Sequence, residues 1–186
     1  MEERVALAGG KEKFAAMLDS FFGFGKESVR QITYCGAENE IASCSYHRFE
    51  GFNNECDMET PYAYIYADRH DRLCDILYEC VHRSFDTGRS GLPGNNDSGG
   101  LSSLFVWNTL GIFPVSGSGS FLIGSPQVES ADIDLSNGKI LHIRVNRAGE
   151  KQIYVDRVMW NGVCMSSYKI STKDLMNGGL LEFFMK

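Results

Sequence analysis

The 186-residue sequence lacks an excess of positive charge, a long apolar run and an internal repeat. Its 24 acidic residues outnumber its 18 basic ones, and the net charge of −6 disfavours a nucleic acid partner, because phosphate binding depends on clustered Lys and Arg. No stretch approaches the roughly 18 unbroken apolar residues of a membrane span. The first residues, MEERVALAGGKEKF, lack the apolar core of a signal peptide. We therefore expect neither nucleic acid nor membrane as a partner, and the compartment stays open.

The sequence also lacks the CxxC spacing of a zinc site or redox motif, although it contains six cysteines. Cys74 and Cys80 lie six positions apart on a predicted helix, on a face that the apolar pattern marks as buried. We interpret the cysteines as small core residues or unreactive thiols, and an even count leaves a disulfide open. His47, His70 and His82 do not form a ligand pattern and are interpreted as surface or hydrogen-bonded histidines. The remaining cysteines are Cys35, Cys44, Cys56 and Cys164.

Apolar residues recur at helical spacing in the first part of the chain. This spacing predicts helices over residues 11–22, 69–86 and 99–110, and a shorter helix after Pro61, which suits a first helical turn. The polar segments between these helices are long, and such loops often carry function. The predicted buried faces comprise Phe14, Met17, Leu18, Phe21 and Phe22 in the first helix, Leu73, Ile76, Leu77, Cys80 and Val81 in the second, and Leu101, Leu104 and Phe105 in the third.

Near residue 114 the apolar period changes to two, which is typical of half-buried strands. Asn137-Gly138 and Asn161-Gly162 predict tight hairpin turns. A change of phase near Asp156-Arg157 predicts a β-bulge, and the last strand is predicted over residues 180–185.

These patterns predict an α+β fold. We expect a helical portion in residues 1–114, which carries the long loops, and a small antiparallel, sandwich-like β-domain in residues 115–186.

The segment GLPGNNDSGG, residues 91–100, holds an acidic residue between glycines and a proline. This composition predicts a tight turn that exposes the backbone. The segment runs into a predicted helix, so two interpretations are open. Asp97 or Ser98 caps that helix, or the turn holds the Asp97 carboxylate over a pocket.

A second segment, FEGFNNECD over residues 49–57, carries Asn and Glu oxygens on a predicted loop. Such oxygens are the ligands that a hard cation such as calcium prefers, and they also suit sugar hydroxyls. A solvated acidic loop is the alternative. The register of an EF-hand is absent.

Taken in order, the motifs are GGKEKF, NNE, PYAYIY, GLPGNNDSGGLSSLFVWNTLGIFPV and SGSFLIGSP. This series resembles the α-mannosidases of glycoside hydrolase family 92 over nearly the whole chain. In that family a GGxxxF helix precedes a Gly-Asn-Glu-Pro loop and a Pro-Tyr-Leu-Tyr helix. A Gly-x-Pro-Gly-Asn-Asp-Asp-x-Gly loop, a Gly-x-Tyr-Pro turn and a Tyr-x-Ile-Gly-Ser-Pro strand follow.

The resemblance implies a calcium-dependent, exo-acting enzyme that inverts the anomeric centre and acts on mannose-containing glycans. It implies that the helices are part of an (α/α)6 toroid that packs on an N-terminal β-sandwich, with the active site between the two. Asp97 matches a base carboxylate of the family, and Asn54 and Glu55 match the pair that lines the calcium and sugar site.

From the resemblance we expect calcium to be held by Asn54, Glu55 and Asp97. Tyr62, Tyr64 or Trp107 is expected to stack on the sugar, with packing inside the helical layer as the alternative for Trp107. The expected sugar contacts are Asn54, Glu55, Asn95, Asn96 and Trp107.

Three departures from the family pattern matter. Asn96 stands where the family has the first Asp of its pair, Asn53 where it has Gly, and Cys56 where it has Pro. No residue matches the family's general acid, which belongs to a Glu-Gly-Asn segment upstream of the GGxxxF helix.

We therefore expect the chain to be a C-terminal portion of the catalytic region, with little or no activity by itself. Its uncovered apolar faces would favour contact with the missing N-terminal part or self-association. The alternative is a non-catalytic relative, either a carbohydrate-binding module or a scaffold, that kept the pocket and lost the chemistry.

Overall fold

The computed structural model describes residues 1–25, 55–89 and 91–186, with the exception of the Cys56 side chain. The α-helices of this part are α1 (Glu2–Leu7), α2 (Lys11–Phe22), α3 (His70–Glu79), α4 (Gly100–Leu110) and α5 (Thr172–Met176). Short 3-10 helices cover Glu55–Asp57, Thr60–Ala67 and Asp97–Gly99, and a π-turn, Cys80–Ser84, continues α3. The strands are β1 (Ile112–Val115), β2 (Ser120–Ile123), β3 (Ser130–Asp134), β4 (Ile140–Asn146), β5 (Val155–Trp160), β6 (Val163–Cys164), β7 (Lys169–Ser171) and β8 (Gly179–Met185).

The helices predicted from apolar spacing are confirmed. The α2 helix follows Gly10 and ends at Gly23, which adopts the left-handed conformation with φ of 70° that closes many helices. The helix predicted after Pro61 is a 3-10 helix with the proline in its first turn. The α4 helix ends at Gly111, where a side chain would lie 2.8 Å from the Pro126 nitrogen. A residue without Cβ is therefore required at the turn from helix to sheet.

The apolar stripe of α2 is only partly buried. Phe14, Leu18 and Phe22 are buried, whereas Met17 is 60% exposed and Phe21 is 50% exposed. The prediction that all of these residues are buried is therefore wrong for Met17 and Phe21. In the described part of the chain, α2 packs against the 3-10 helix Thr60–Ala67 and against α1. These neighbours cover one side of the stripe, and spacing alone does not show how wide the covering layer is.

The other predicted faces are largely confirmed. Cys74 and Cys80 are fully buried, and burial raises the pKa of the Cys74 thiol to about 12 and that of Cys80 further. These two residues are thus unreactive core thiols, as interpreted. Cys164 is exposed on β6. Phe105, predicted to be buried, is 36% exposed and packs its ring against Phe85. Cys35, Cys44 and His47 lie outside the described residues.

The strands form two sheets, one with the order β1-β2-β7 and one with the order β3-β4-β8-β5-β6. Both predicted hairpins are confirmed, since β3 pairs with β4 and β5 with β6. Asn161 and Gly162 both have positive φ, as the favoured two-residue turn requires. The β5–β8 register shifts between Val155 and Arg157, which confirms the predicted bulge.

One strand pair departs from the antiparallel pattern, because β4 and β8 run parallel. A parallel neighbour needs a long crossover connection. Here the chain passes through β5, β6, β7 and α5 before it returns beside β4. Period-two patterning marks each strand but does not encode this long-range order.

Two hydrophobic cores meet at β1. Phe113 belongs to the core under the helices, whereas Ile112, its neighbour in the same strand, belongs to the core under the sheets. The expected boundary between residues 114 and 115 falls inside this strand, and the two-domain division stays a prediction. In residues 1–25, 55–89 and 91–186 no helix combines the length and apolar character needed to cross a membrane.

His70 is buried where α3 meets the sheets. Its Nε2 lies 3.0 Å from the Ile123 carbonyl oxygen and its Nδ1 lies 3.4 Å from the Cys74 sulfur. Because a carbonyl oxygen only accepts, Nε2 carries the proton and Nδ1 can accept from the thiol. The ring also stacks on Tyr168 with centroids 3.7 Å apart. Burial lowers the pKa of His70 to about 4, against the opposing effects of the Ile123 bond and of Asp71.

This buried imidazole predicts a loss of stability on acidification. In the unfolded chain His70 has the ordinary histidine pKa of 6.5, whereas in the folded chain its pKa is about 4. As the pH falls, the unfolded chain therefore binds a proton at a higher pH than the folded chain does. Stability present above pH 6.5 is therefore lost as the pH falls towards 4, by about 3 kcal/mol in total. Urea denaturation from pH 7 to 4 should give a shallower pH dependence for His70→Gln than for the wild type. The variant His82→Gln, which changes an exposed histidine, should show the same pH dependence of stability as the wild type. Equal slopes for the wild type and His70→Gln would contradict the assignment.

Candidate functional site

The loop that ends at α4 makes the sharp turn predicted from its glycines. It enters the helix through the 3-10 turn Asp97–Gly99, in which Ser98 has φ of 52° and ψ of 24°. Gly99 follows with φ of 78°. Left-handed conformation is uncommon for serine and costs energy, and such strain is concentrated at sites where side-chain direction matters.

Asn96, rather than Asp97 or Ser98, caps this end of α4. The Asn96 Oδ1 accepts a hydrogen bond of 3.0 Å from the backbone N–H of Ser102. No side-chain cap is made from within the Asp97–Gly99 turn, so the capping interpretation of Asp97 and Ser98 is wrong. The 3-10 turn Asp97–Gly99 lies between Asn96 and the first residue of α4, and the cap comes from the residue before this turn. The Asp97 side chain is exposed and is left out of the cap.

Glu55 lies beside the first residue of α4. A Cβ built on Gly100 would meet the Glu55 Oε1 at 3.6 Å and the Met58 Cε at 3.1 Å. The first N–H groups of a helix are unpaired and carry partial positive charge, which favours a carboxylate at this place. Two acidic segments that are distant in sequence therefore meet at the start of α4.

The structure gathers four of the predicted site residues at one end of α4. Glu55 touches this end, and Asn95, Asn96 and Asp97 lie in the loop that enters it; all four are exposed. Asn54 lies outside the described residues, as do Asn53 and the rest of that segment up to residue 54. The end of α4 with its exposed carboxylates and amides is the candidate site.

Trp107 lies away from this cluster. It lies seven positions after Gly100 along α4, which corresponds to about 10 Å of helix. Its half-buried ring contacts the edge of Phe121, with centroids 5.7 Å apart, and packs against both cores. These contacts agree with the alternative that Trp107 packs inside the helical layer. A contact of Trp107 with sugar stays a prediction.

Tyr62 and Tyr64 are buried, so the expectation that they stack on a sugar is wrong. Tyr62 is 1% exposed and donates a 2.9 Å hydrogen bond to Asn108 Oδ1. Tyr64 is fully buried and donates a 2.8 Å bond to Asp19 Oδ1. Burial raises the pKa of both phenols, with a further contribution from Asp19 at Tyr64. Both rings are covered because their 3-10 helix packs between other elements on both sides.

Asn108 is the residue that the sequence patterns missed. It is fully buried in α4 and stands seven positions after Leu101 and four after Leu104. A signal was present, because an amide on the apolar stripe of a helix must find hydrogen-bond partners inside the protein.

An exposed cluster of carboxylates and amides at a helix N-terminus suits the binding of polyhydroxylated ligands and of hard cations. Within residues 1–25, 55–89 and 91–186 no three His, Cys, Asp or Glu side chains come together in a group that could hold a metal ion.

Comparison with known proteins assigns the chain to a family. The family model described as the glycosyl hydrolase family 92 catalytic domain matches residues 1–186. The chain therefore belongs to this family, as the resemblance indicated.

Three relatives show the extent of the similarity. An uncharacterized secreted glycosidase of Arthroderma benhamiae is 27% identical over 98% of this chain and 21% of its own length. A family 92 α-mannosidase of Bacteroides thetaiotaomicron is 26% identical, with a TM-score of 0.75 over 95% of this chain and 22% of that one. An inverting mannosidase of the same bacterium is 23% identical, with a TM-score of 0.76 over 97% of this chain and 25% of that one. At this level of identity the similarity shows a shared fold. The chain thus spans about a fifth to a quarter of the length of these relatives.

The cap assignment predicts different costs for two neighbouring substitutions. Asn96→Ala should lower the free energy of unfolding by about 1 kcal/mol, because the Ser102 N–H loses its acceptor. Asp97→Asn, which keeps the size of an exposed side chain outside the cap, should change it by less than about 0.5 kcal/mol. Urea denaturation at pH 7 measures both. A larger cost for Asp97→Asn than for Asn96→Ala would assign the cap to Asp97.

Proposed function

We propose that this chain provides the catalytic base and the calcium-binding residues of an inverting α-mannosidase that acts on mannose-containing glycans. The observation that carries the proposal is the position of the Glu55 carboxylate against Gly100, directly after the loop that holds Asp97. The solved structure of a family 92 α-mannosidase in complex with mannoimidazole, 26% identical to this chain, supports a mannose-like ligand.

Asp97 is proposed as the catalytic base. Its exposed carboxylate can accept a proton from a water molecule that attacks the anomeric carbon. In an inverting enzyme the water and the leaving oxygen are on opposite faces of the sugar, and the acid and base carboxyl groups stand roughly 6.5–9.5 Å apart. The sequence has no residue that matches the general acid of the family. The chain is therefore proposed to supply the base half of the reaction and to hydrolyse poorly by itself.

The donor chemistry of the site fits calcium. Glu55 and Asp97 offer carboxylate oxygens, and the resemblance adds the amide oxygen of Asn54. Bound calcium would supply a grip on the 2- and 3-hydroxyls of mannose. The protein's own part is to present these oxygens from rigid supports, the start of α4 and the 3-10 helix Glu55–Asp57.

A second candidate function is a non-catalytic relative that binds carbohydrate. The Asn96 side chain favours it, because this residue stands where the family has a carboxylate and its oxygen is used in the α4 cap. An amide cannot accept a proton as a base would. A protein with this second function would bind sugar without hydrolysing it.

The missing general acid predicts a strong dependence on the leaving group. The purified chain with calcium should hydrolyse 4-methylumbelliferyl α-mannoside slowly or not at all. It should act detectably on the 2,4-dinitrophenyl α-mannoside, whose phenolate leaves without protonation. Asp97→Asn should lower that residual rate by about 100-fold or more. Efficient turnover of an alkyl mannoside would contradict the proposal, and binding without any turnover would favour the second function.

The calcium assignment predicts ligand-dependent stability. Calcium should raise the Tm of the wild type, because a ligand stabilises the state that binds it. Glu55→Gln and Asp97→Asn should each reduce this rise, measured against their own Tm in EDTA. Glu150→Gln, an exposed position outside the site, serves as the matched control and should keep the full rise. An equal rise of the Tm in all four proteins would show that calcium does not bind at this site.

A further inference from the structure

A chain of buried polar groups joins three elements of the helical region. Asn108 is fully buried, and its Oδ1 accepts the hydrogen bond of the Tyr62 hydroxyl at 2.9 Å. Its Nδ2 donates to the Cys80 sulfur at 3.7 Å. Tyr62 is 1% exposed and Cys80 is fully buried. Tyr62, Asn108 and Cys80 are called the buried triad below.

Each member of the buried triad belongs to an element that leads to the candidate site. Tyr62 lies on the 3-10 helix Thr60–Ala67, which closely follows Glu55. Cys80 opens the π-turn Cys80–Ser84, after which the chain runs towards the Asp97 loop. Asn108 lies on α4, whose first residue touches Glu55. The buried triad therefore connects the supports of both acidic segments.

The hydrogen bonds of the buried triad are directional. Apolar contacts have no preferred direction, whereas an amide buried among apolar groups must keep its partners. The hydroxyl of Tyr62 also lies beside Gly124, where a Cβ would approach it to 3.1 Å. The phenol therefore depends on a glycine at position 124 as well as on Asn108.

Two contacts along α4 then set the position of the Glu55–Tyr62 segment. Asn108 bonds Tyr62 at one end, and Gly100 lies beside Glu55 and Met58 at the other. Asn108 lies eight positions after Gly100 in the helix, which corresponds to about 12 Å. Two contacts at this separation restrain both the translation and the tilt of the segment.

We infer that Asn108 is a positioning residue, which through Tyr62 and Cys80 holds Glu55 and the Asp97 loop in register at the start of α4. This inference rests on the proposed function of that site. The buried triad does not contact substrate, and its effect reaches the site through the elements that carry it.

The decisive experiment separates position from stability. Tyr62→Phe and Asn108→Leu each leave a buried polar group without its partner, whereas the double variant replaces both partners by apolar groups and should recover much of the lost stability. Ile170→Val, in the sheet core, is the control for mild destabilisation. Amide hydrogen exchange of the full chain is measured at Met58, Gly99 and Ser102, whose N–H groups are hydrogen-bonded within the site segments.

We expect the double variant to exchange at these three amides about tenfold faster than the wild type, while the amides of β4 and β8 keep their protection. Tyr62→Phe should show the same pattern to a smaller degree. Wild-type exchange at the three amides in both variants would overturn the inference. Equal acceleration in Ile170→Val would overturn it too, because the effect would then follow general destabilisation.

A ligand titration distinguishes this inference from the proposed function. If the wild type binds calcium, the double variant should bind it at least about tenfold more weakly, and unchanged affinity would overturn the positioning role. If the wild type does not bind calcium, the proposed calcium site fails, and the exchange measurement alone decides whether Asn108 positions the two segments.

Discussion

The Tyr62 side chain lies where the helices and the sheets of this molecule meet. Its ring stacks on Phe113 of β1 with centroids 4.6 Å apart, and its hydroxyl reaches Asn108 of α4. Burial of such a ring contributes about 2 kcal/mol, but only if the hydroxyl is hydrogen-bonded. The glycine at position 124 leaves the room that the phenol needs, since a side chain there would also approach the Leu77 Cδ1 to 2.6 Å. The Tyr62 side chain thus links the helical layer, the sheet that contains β1 and the last turn of α4.

The candidate site has the opposite character, because its carboxylates and amides are exposed and its backbone is strained. Ser98 in left-handed conformation lowers stability locally, and the contacts of Asn96 and Glu55 with α4 compensate in part. Such a division is expected of a binding site: the supports are rigid and buried, and the groups that meet a ligand remain open to water. The positive end of α4 adds a field that favours the carboxylates before any ligand is present.

The sequence predicted well what depends on local pattern. The helices α2, α3 and α4, both Asn-Gly hairpins and the bulge at Asp156 follow from spacing and turn chemistry, and all are present. It failed where distant parts of the chain decide. Whether Met17 is covered depends on which elements pack on α2, and the parallel pairing of β8 with β4 depends on the path of the chain between them. At the site, the motifs predicted that Glu55 and Asp97 serve one site, which stays a prediction, and they did not show that Asn96 forms the cap. Capping depends on how many residues the preceding turn contains, and the left-handed Ser98 made that number unpredictable.

The cap of α4 limits what chemistry this loop can perform. In the family, two neighbouring carboxylates stand in the loop that Asn96 and Asp97 match here. In this chain the first position is Asn96, whose oxygen accepts from Ser102 and whose side chain is therefore held against the helix. Asp97 is the only carboxylate left in the loop. Under the proposed function, the part that Asp97 plays depends on where the loop places it relative to Glu55 and the sugar. For this reason the rigid supports of the loop, rather than a second carboxylate, are the features that decide whether Asp97 acts as a base or only as a ligand.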